Sequence, residues 1–212
     1  MPLAVETLSL GSIGTNCHLV RRDDDAADAA VIDPGADAAQ IRSALERAGA
    51  RCAAILLTHS HYDHIGALAE LAEATGAPVW LPAIEEDVFA RPDAYFGGLG
   101  ISTRGFTGPS TLLVGGETIG AAGISFEVTH VPGHSPGHVA YYADGALFSG
   151  DVLFSSSVGR TDLPGGNWDT LVASIRALAA YPPETVVHSG HGPPTTLGAE
   201  LAGNPFLEEL RA

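Results

Sequence analysis

Thr58-His59-Ser60-His61-Tyr62-Asp63-His64 follows directly on the apolar run Ala53-Ala54-Ile55-Leu56-Leu57. Four metal-ligating side chains therefore fall within six residues at the end of a strand-like segment. Imidazole and carboxylate are ligands for zinc, manganese or iron. Alternation in His59-Ser60-His61 lets two imidazoles point the same way from an extended backbone, while the Asp63-His64 pair turns elsewhere. One short loop can in this way serve two metals. The structural alternative is a polar surface turn with incidental histidines, and the density of ligands at a strand end argues against it.

Further ligands recur beside glycine or proline in Pro132-Gly133-His134-Ser135-Pro136-Gly137-His138, in Gly150-Asp151 and in His188-Ser189-Gly190-His191-Gly192-Pro193. Glycine permits tight turns at strand ends, so these segments read as loop tips. Loops on one rim of a sheet can converge on a single site, although no later histidine is decisive alone.

The succession His-x-His-x-Asp-His, Gly-His, Gly-Asp and Gly-His-Gly resembles the metallo-β-lactamase superfamily over nearly the whole chain. Three segments are similar to the short bacterial hydroxyacylglutathione hydrolases, or glyoxalase II-like proteins. These are Gly14-Thr15-Asn16-Cys17 with Leu19-Val20, Gly159-Arg160-Thr161-Asp162-Leu163-Pro164-Gly165-Gly166, and Gly190-His191-Gly192-Pro193-Pro194-Thr195-Thr196. The resemblance implies an α/β protein with an αββα sandwich, two mixed sheets flanked by helices. It implies that His59, His61 and His134 hold one metal, that Asp63, His64 and His191 hold the other, and that Asp151 bridges them. Two divalent ions are expected, zinc foremost, with iron or manganese as alternatives.

The activity implied is hydrolysis of a thioester, S-D-lactoylglutathione or a related hydroxyacylglutathione, by a metal-bridging hydroxide. Two cations about 3.5–4 Å apart lower the pKa of a shared water from about 16 toward about 7. Asp63 is the catalytic candidate, as ligand and as orienter of the nucleophile. A thiolate leaving group, with a pKa near 8.5, departs with little help from an acid. An amide would need a proton donor, and none is identifiable. Arg160 is the candidate for binding an anionic thiol, against the alternative of a structural pairing with a nearby carboxylate. His138 and His188 read as supporting or surface residues, and His130 as a structural one. His18 stands where similar proteins often have Tyr, and Ser189 where they often have Pro.

Two other readings stand beside this one. A mononuclear Fe(II) persulfide dioxygenase shares His-x-His-x-Asp-His and a Gly-Arg-Thr-Asp segment, but usually has His-Asp-Tyr where this chain has Gly190-His191-Gly192. A lactonase of the same superfamily is the rival among hydrolases. A noncatalytic metal-binding role fits the complete ligand set poorly.

At 212 residues, with 45% hydrophobic and 17% charged content, the chain suits a globular α/β protein. We expect one domain over residues 1–212, without the C-terminal helical domain of longer glyoxalase II enzymes. The formal charge of −15, with ten scattered arginines and no lysine, argues against nucleic-acid binding. No apolar run approaches the roughly 20 residues that span a bilayer, and the N-terminus has no targeting pattern. A cytoplasmic protein with a small-molecule thioester substrate, no membrane partner and no nucleic-acid partner is the expectation. Cys17 and Cys52 read as buried free thiols.

Strands are predicted at Ala4–Leu10, Cys17–Arg21, Ala29–Ile32, Ala53–Leu57, Val79–Leu81, Ile124–Thr129, Val139–Tyr142, Ala146–Ser149 and Thr185–His188. Helices are predicted at Asp37–Ala48, Ile65–Thr75 and Trp168–Ala180. Arg91–Ser110, rich in Gly and Pro with Tyr95, Phe96 and Phe106, is a candidate substrate-side loop or else a solvated connector. The tail Leu197–Ala212 has room for one short helix.

Overall fold

A computed structural model describes residues 2–100 and 102–210. The first half begins with strands β1 (Ala4–Leu10), β2 (Thr15–Arg21) and β3 (Asp28–Ile32), then helix α1 (Ala38–Arg47) and β4 (Arg51–Leu56). Helices α2 (Tyr62–Ile65) and α3 (Leu68–Thr75), strand β5 (Val79–Pro82), helices α4 (Glu86–Ala90) and α5 (Pro92–Phe96), and strand β6 (Ser110–Leu113) follow. The second half contains β7 (Thr118–Ala121), β8 (Ile124–His130), β9 (Val139–Ala143), β10 (Ala146–Gly150), β11 (Leu153–Phe154) and β12 (Ser157–Val158). It ends with α6 (Trp168–Leu178), β13 (Val186–Ser189), β14 (Thr195–Thr196) and α7 (Leu197–Gly203).

Two six-stranded mixed sheets result, ordered β1-β2-β3-β4-β5-β6 and β14-β13-β10-β9-β8-β7. In the first, β1, β2 and β3 are antiparallel, while β3 through β6 run parallel. In the second only the β10–β13 pair is parallel. Each parallel step needs a crossover, which α1 supplies between β3 and β4, α2 and α3 between β4 and β5, α4 and α5 between β5 and β6, and α6 between β10 and β13.

The period-2 alternation of the strands produces the layers. In β3, Ala29 and Val31 face a core shared with α1 and α3, whereas Ala30 and Ile32 face the opposite sheet. In β9, Val139, Tyr141 and Ala143 face that same inter-sheet core, and Ala140 packs outward with Leu147 against Leu171, Ile175 and Leu178 of α6. Three apolar layers, helix on sheet, sheet on sheet and sheet on helix, make the αββα sandwich that the resemblance implied. At one rim the sheets are pinned together: Tyr141 Oη donates to Leu57 O at 2.6 Å, and Val139 N donates to Thr58 O at 2.8 Å. Both bonds lie immediately before His59.

The expected strands are all present within two residues of their predicted ends. The helix expected at Ile65–Thr75 is present as α3 but starts only at Leu68, and a separate short helix, α2, ends at Ile65. Here tertiary packing decides: Ala67 N donates to Pro34 O, and a Cβ on Gly66 would lie 2.3 Å from Gly35 O. The loop after β3 thus wedges against this junction. Arg91–Ser110 divides into α5 and a 3₁₀ turn at Gly97–Leu99, with Phe106 packed against the first core. In the tail, α7 is followed by a 3₁₀ segment at Pro205–Leu210, and residues 211–212 lie outside the described residues. Cys17 and Cys52 are free and buried. Burial raises the Cys52 thiol to about 11, so it stays protonated.

Candidate metal centre

Strands β4, β8, β10 and β13 all end at one rim, and the segments that follow them carry the seven predicted ligands, Asp63 and His64 on the short helix α2 and the other five on loops. His59, His61 and His134 form one group and Asp63, His64 and His191 another, each with donor atoms within 4.8 Å of one another. In the first group His61 Nδ1 lies 3.1 Å from His59 Nε2 and 2.8 Å from His134 Nε2. In the second, Asp63 Oδ2 lies 3.4 Å from His64 Nε2 and 3.3 Å from His191 Nε2. Asp151 stands between them, with Oδ1 at 3.4 Å from His64 Nε2 and Oδ2 at 3.5 Å from both His134 Nε2 and His191 Nε2.

These spacings carry a chemical meaning. Nitrogen and oxygen donors about 2.1 Å from a shared tetrahedral ion lie roughly 3.4 Å from each other. The donor–donor distances of the second group and of Asp151 match that edge. His64 Nε2 and Asp151 Oδ1 are also buried without a hydrogen-bond partner, which is costly unless a cation satisfies them. The residues present therefore fit a pair of divalent cations of the borderline type that nitrogen and oxygen ligands favour.

A buried carboxylate orients one histidine of each group. Asp33, at the end of β3, accepts Thr58 N at 2.8 Å and Thr58 Oγ1 at 2.7 Å. His64 Nδ1 donates to Asp33 Oδ2 at 3.0 Å, and His59 Nδ1 donates to Thr58 Oγ1 at 3.0 Å. Both imidazoles are thereby fixed with Nδ1 protonated and Nε2 turned to the centre. Asp33, though close to His59 and His64, has its oxygens engaged in this network rather than free for a metal. His134 is set the same way, with Nδ1 donating to the Arg160 carbonyl at 2.8 Å.

Glu85, only 4% exposed, is a second carboxylate the sequence reading did not single out. It accepts Ser60 N at 2.7 Å and Gly137 N at 2.8 Å. One side chain thus ties the His59–His61 loop to the loop that carries His134 and His138. Its signal in the sequence is faint: an acidic residue three positions beyond an apolar strand, inside an otherwise surface-like Ile84-Glu85-Glu86-Asp87 run.

The electrostatics follow from this crowding. Burial is the largest influence on Asp63 and by itself would raise its carboxyl. The His191 hydrogen bond, the His64 charge and the Thr15 hydroxyl outweigh it and hold the group at about 2. His191 is raised to about 9 by its hydrogen bonds to Asp151 and Asp63. His61 is lowered to about 4, first by burial and then by neighbouring His134 and His64. Two ionised carboxylates in a buried nest of imidazoles make a site of strong cation affinity.

His138 is fully buried, stacks on His59 with ring centroids 4.6 Å apart, and accepts Asp151 N through Nε2 at 3.0 Å. It thus supports the backbone of Asp151, the first of the two roles, supporting or surface, read for it. His188 does not: it stacks on Phe148 at 5.2 Å, beside His18, whose buried ring also bonds the Thr7 hydroxyl. Burial lowers His18 to about 3, making it a neutral core histidine. His130 donates from Nε2 to Pro136 O, the structural role predicted for it. The guanidinium of Arg160 is exposed and pairs with Asp162 at 2.7 Å through both Nε and Nη2, so the pairing alternative describes its side chain here. Around the mouth, Phe96 lies 6.3 Å from the His61 ring and 5.8 Å from Tyr62, and Phe154 lies 6.0 Å from His191.

The sequence profile of the metallo-beta-lactamase superfamily matches residues 10–191. The hydroxyacylglutathione hydrolase GloC of Haemophilus influenzae is 36% identical over 211 residues, covering 96% of this chain and 97% of that one. Among solved structures, the BLEG-1 B3 metallo-beta-lactamase superposes with a TM-score of 0.87 and 39% identity, covering 97% of this chain and 100% of its own. TTHA1623 in a di-iron-bound form gives 0.85 and 41%, covering 95% and 100%.

Proposed function

The chain belongs to the metallo-β-lactamase superfamily, as a metal-dependent hydrolase, and from that premise we propose that it cleaves thioesters of the hydroxyacylglutathione class. The observation that carries this reading is the pair of three-donor groups sharing Asp151, together with the likeness to GloC along almost the full length of both chains. Two divalent cations held by His59, His61, His134 and by Asp63, His64, His191, with Asp151 between, would supply hydroxide at neutral pH and polarise an acyl carbonyl. Zinc is the proposed pair, and iron is the alternative that the di-iron form of TTHA1623 supports.

The protein's own groups account for the rest. Asp63, held ionised, accepts a hydrogen bond from an attacking water and so orients it; at about 2 it is a poor store for the proton. No acid is required opposite it, because a thiolate of pKa near 8.5 leaves unprotonated. Phe96, Tyr62 and Phe154 offer apolar surface to either side of the ligand histidines and help to exclude water. The likeness to BLEG-1 favours a second reading, β-lactam hydrolysis. An amine leaves poorly without a proton donor, and the thioester is preferred on that ground.

The deciding experiment measures S-D-lactoylglutathione hydrolysis by metal-quantified protein, beside a cephalosporin and beside oxygen uptake with glutathione persulfide. Thioester turnover with two metals per chain is expected. Oxygen consumption by a one-iron protein without hydrolysis, or turnover of the cephalosporin alone, would replace the reading.

Arg160 remains the proposed contact for an anionic thiol. Gly159 before it packs so closely that a Cβ would lie 3.2 Å from His134 Nδ1, which brings residue 160 to the edge of the centre. Arg160→Ala should raise KM for a glutathione thioester more than it lowers kcat. An unchanged KM removes the side chain from substrate binding and leaves its carbonyl, which holds His134, as its contribution.

A further inference from the structure

We propose that Thr15 and Asn16, at the start of β2, are positioning residues for the Asp63, His64 and His191 half of the centre, and that they tune this half alone. The inference rests on the two-metal reading above. Both side chains are buried, at 1% and 7% exposure, and neither belongs to a donor group. Thr15 Oγ1 donates to Asp63 Oδ2 at 2.7 Å. That oxygen is the one that faces both His64 Nε2 and His191 Nε2. The hydroxyl therefore fixes the rotation of the carboxylate about its last bond.

Asn16 grips the other end of the same half. Its two amide hydrogens go to Ser189 O and Gly192 O, each at 2.9 Å, and its backbone N donates to Gly190 O at 2.7 Å. Three carbonyls on either side of His191 are held by one residue, and Ser189 Oγ closes the turn on His191 O at 2.8 Å. A primary amide has two N–H donors, and both are spent on this loop. The His59, His61 and His134 half is held by different groups: the Thr58 hydroxyl, the Arg160 carbonyl and Glu85. Among the described residues the two halves thus have separate supports, which meet at Asp33 and Asp151 and where the His59 and His64 rings touch.

Separate supports predict separable effects. Metal-stripped protein would be titrated with Zn(II) against a chromophoric chelator, and His191→Ala identifies the step that belongs to this half by abolishing it. Thr15→Val, which keeps the shape and loses the donor, and Asn16→Ala are each expected to weaken that step about 10–100-fold and to leave the other within about twofold. Thr15→Ser restores it. Circular dichroism verifies that each variant is folded, and Thr15→Val carries the test should Asn16→Ala fail to fold. Equal weakening of both steps, or no change in either, overturns the inference while leaving the two-metal centre standing. A wild-type protein that takes up a single equivalent overturns the two-metal reading and the inference with it.

Discussion

Asp151→Ala is expected to lower hydrolysis by more than about 10³-fold, beyond the loss typical of a single oxyanion donor, and to reduce bound metal below two per chain. Its carboxylate faces the Nε2 atoms of both groups, through Oδ1 to His64 and through Oδ2 to His134 and His191. No neighbouring oxygen takes over: Asp33 is committed to Thr58 and His64, and Glu85 to two backbone amides. His61→Ala should be comparably severe, since its Nδ1 faces both other histidines of its group. Both variants should stay folded, because the ligands lie on loops outside the three apolar layers. Elemental analysis, far-UV circular dichroism and turnover on one preparation test this together. Turnover near the wild-type rate in both variants would refute the assignment of the centre.

Gly190→Ala should be nearly as damaging, although it adds only a methyl group and removes no donor. A Cβ there would lie 2.1 Å from Asp151 Oδ1 and 2.6 Å from His64 Cε1. Neither neighbour can retreat. Asp151 is anchored through its amide to His138, and His64 through Nδ1 to Asp33. The expected result is a loss of metal and at least about 10²-fold of activity, the scale of a displaced oxyanion contact. Gly192→Ala, two residues away, is the control. Nothing lies within 4 Å of its Cβ, and its φ of +77° costs an L residue only about 1–2 kcal/mol. Its melting temperature should fall by a few degrees, with metal content retained. Similar activity in the two variants would mean that close packing at residue 190 does not govern the centre.

The parts of this molecule that were legible in its sequence are those written in local pattern. His59 through His64 lie on six consecutive positions, and the strands behind them show apolar runs that the sheets bury on both faces. Of the edge strands β1 was legible, whereas β6, β7 and β14 were not. β6 is mostly exposed, and β7 carries Gly120 at a position where a side chain would advertise the alternation. The break between α2 and α3 was hidden for a related reason, since the groups that force it, Pro34 and Gly35, lie some thirty residues upstream. Asp33 and Glu85 belong to the same class. Each acts through hydrogen bonds to residues distant in sequence, and a single chain read without its contacts gives such a side chain no distinguishing neighbourhood. Arg160 shows the same limit from the other side, because its segment pointed to the side chain and gave no sign that its backbone carbonyl would hold His134.

The bonds between Asn16 and the loop around His191 also have a consequence in time. They join residues 173 and 176 positions apart, so the centre closes only when the second strand meets the next-to-last one. During synthesis the ligand-rich His59–His64 segment emerges long before His134, Asp151 or His191 exists to complete it. Contacts of such long sequence separation are late and slow to form. Uptake of the proposed metal pair is therefore expected to be a terminal event of folding, and its rate after dilution from denaturant would give a direct clock for the moment the two ends of the chain come together.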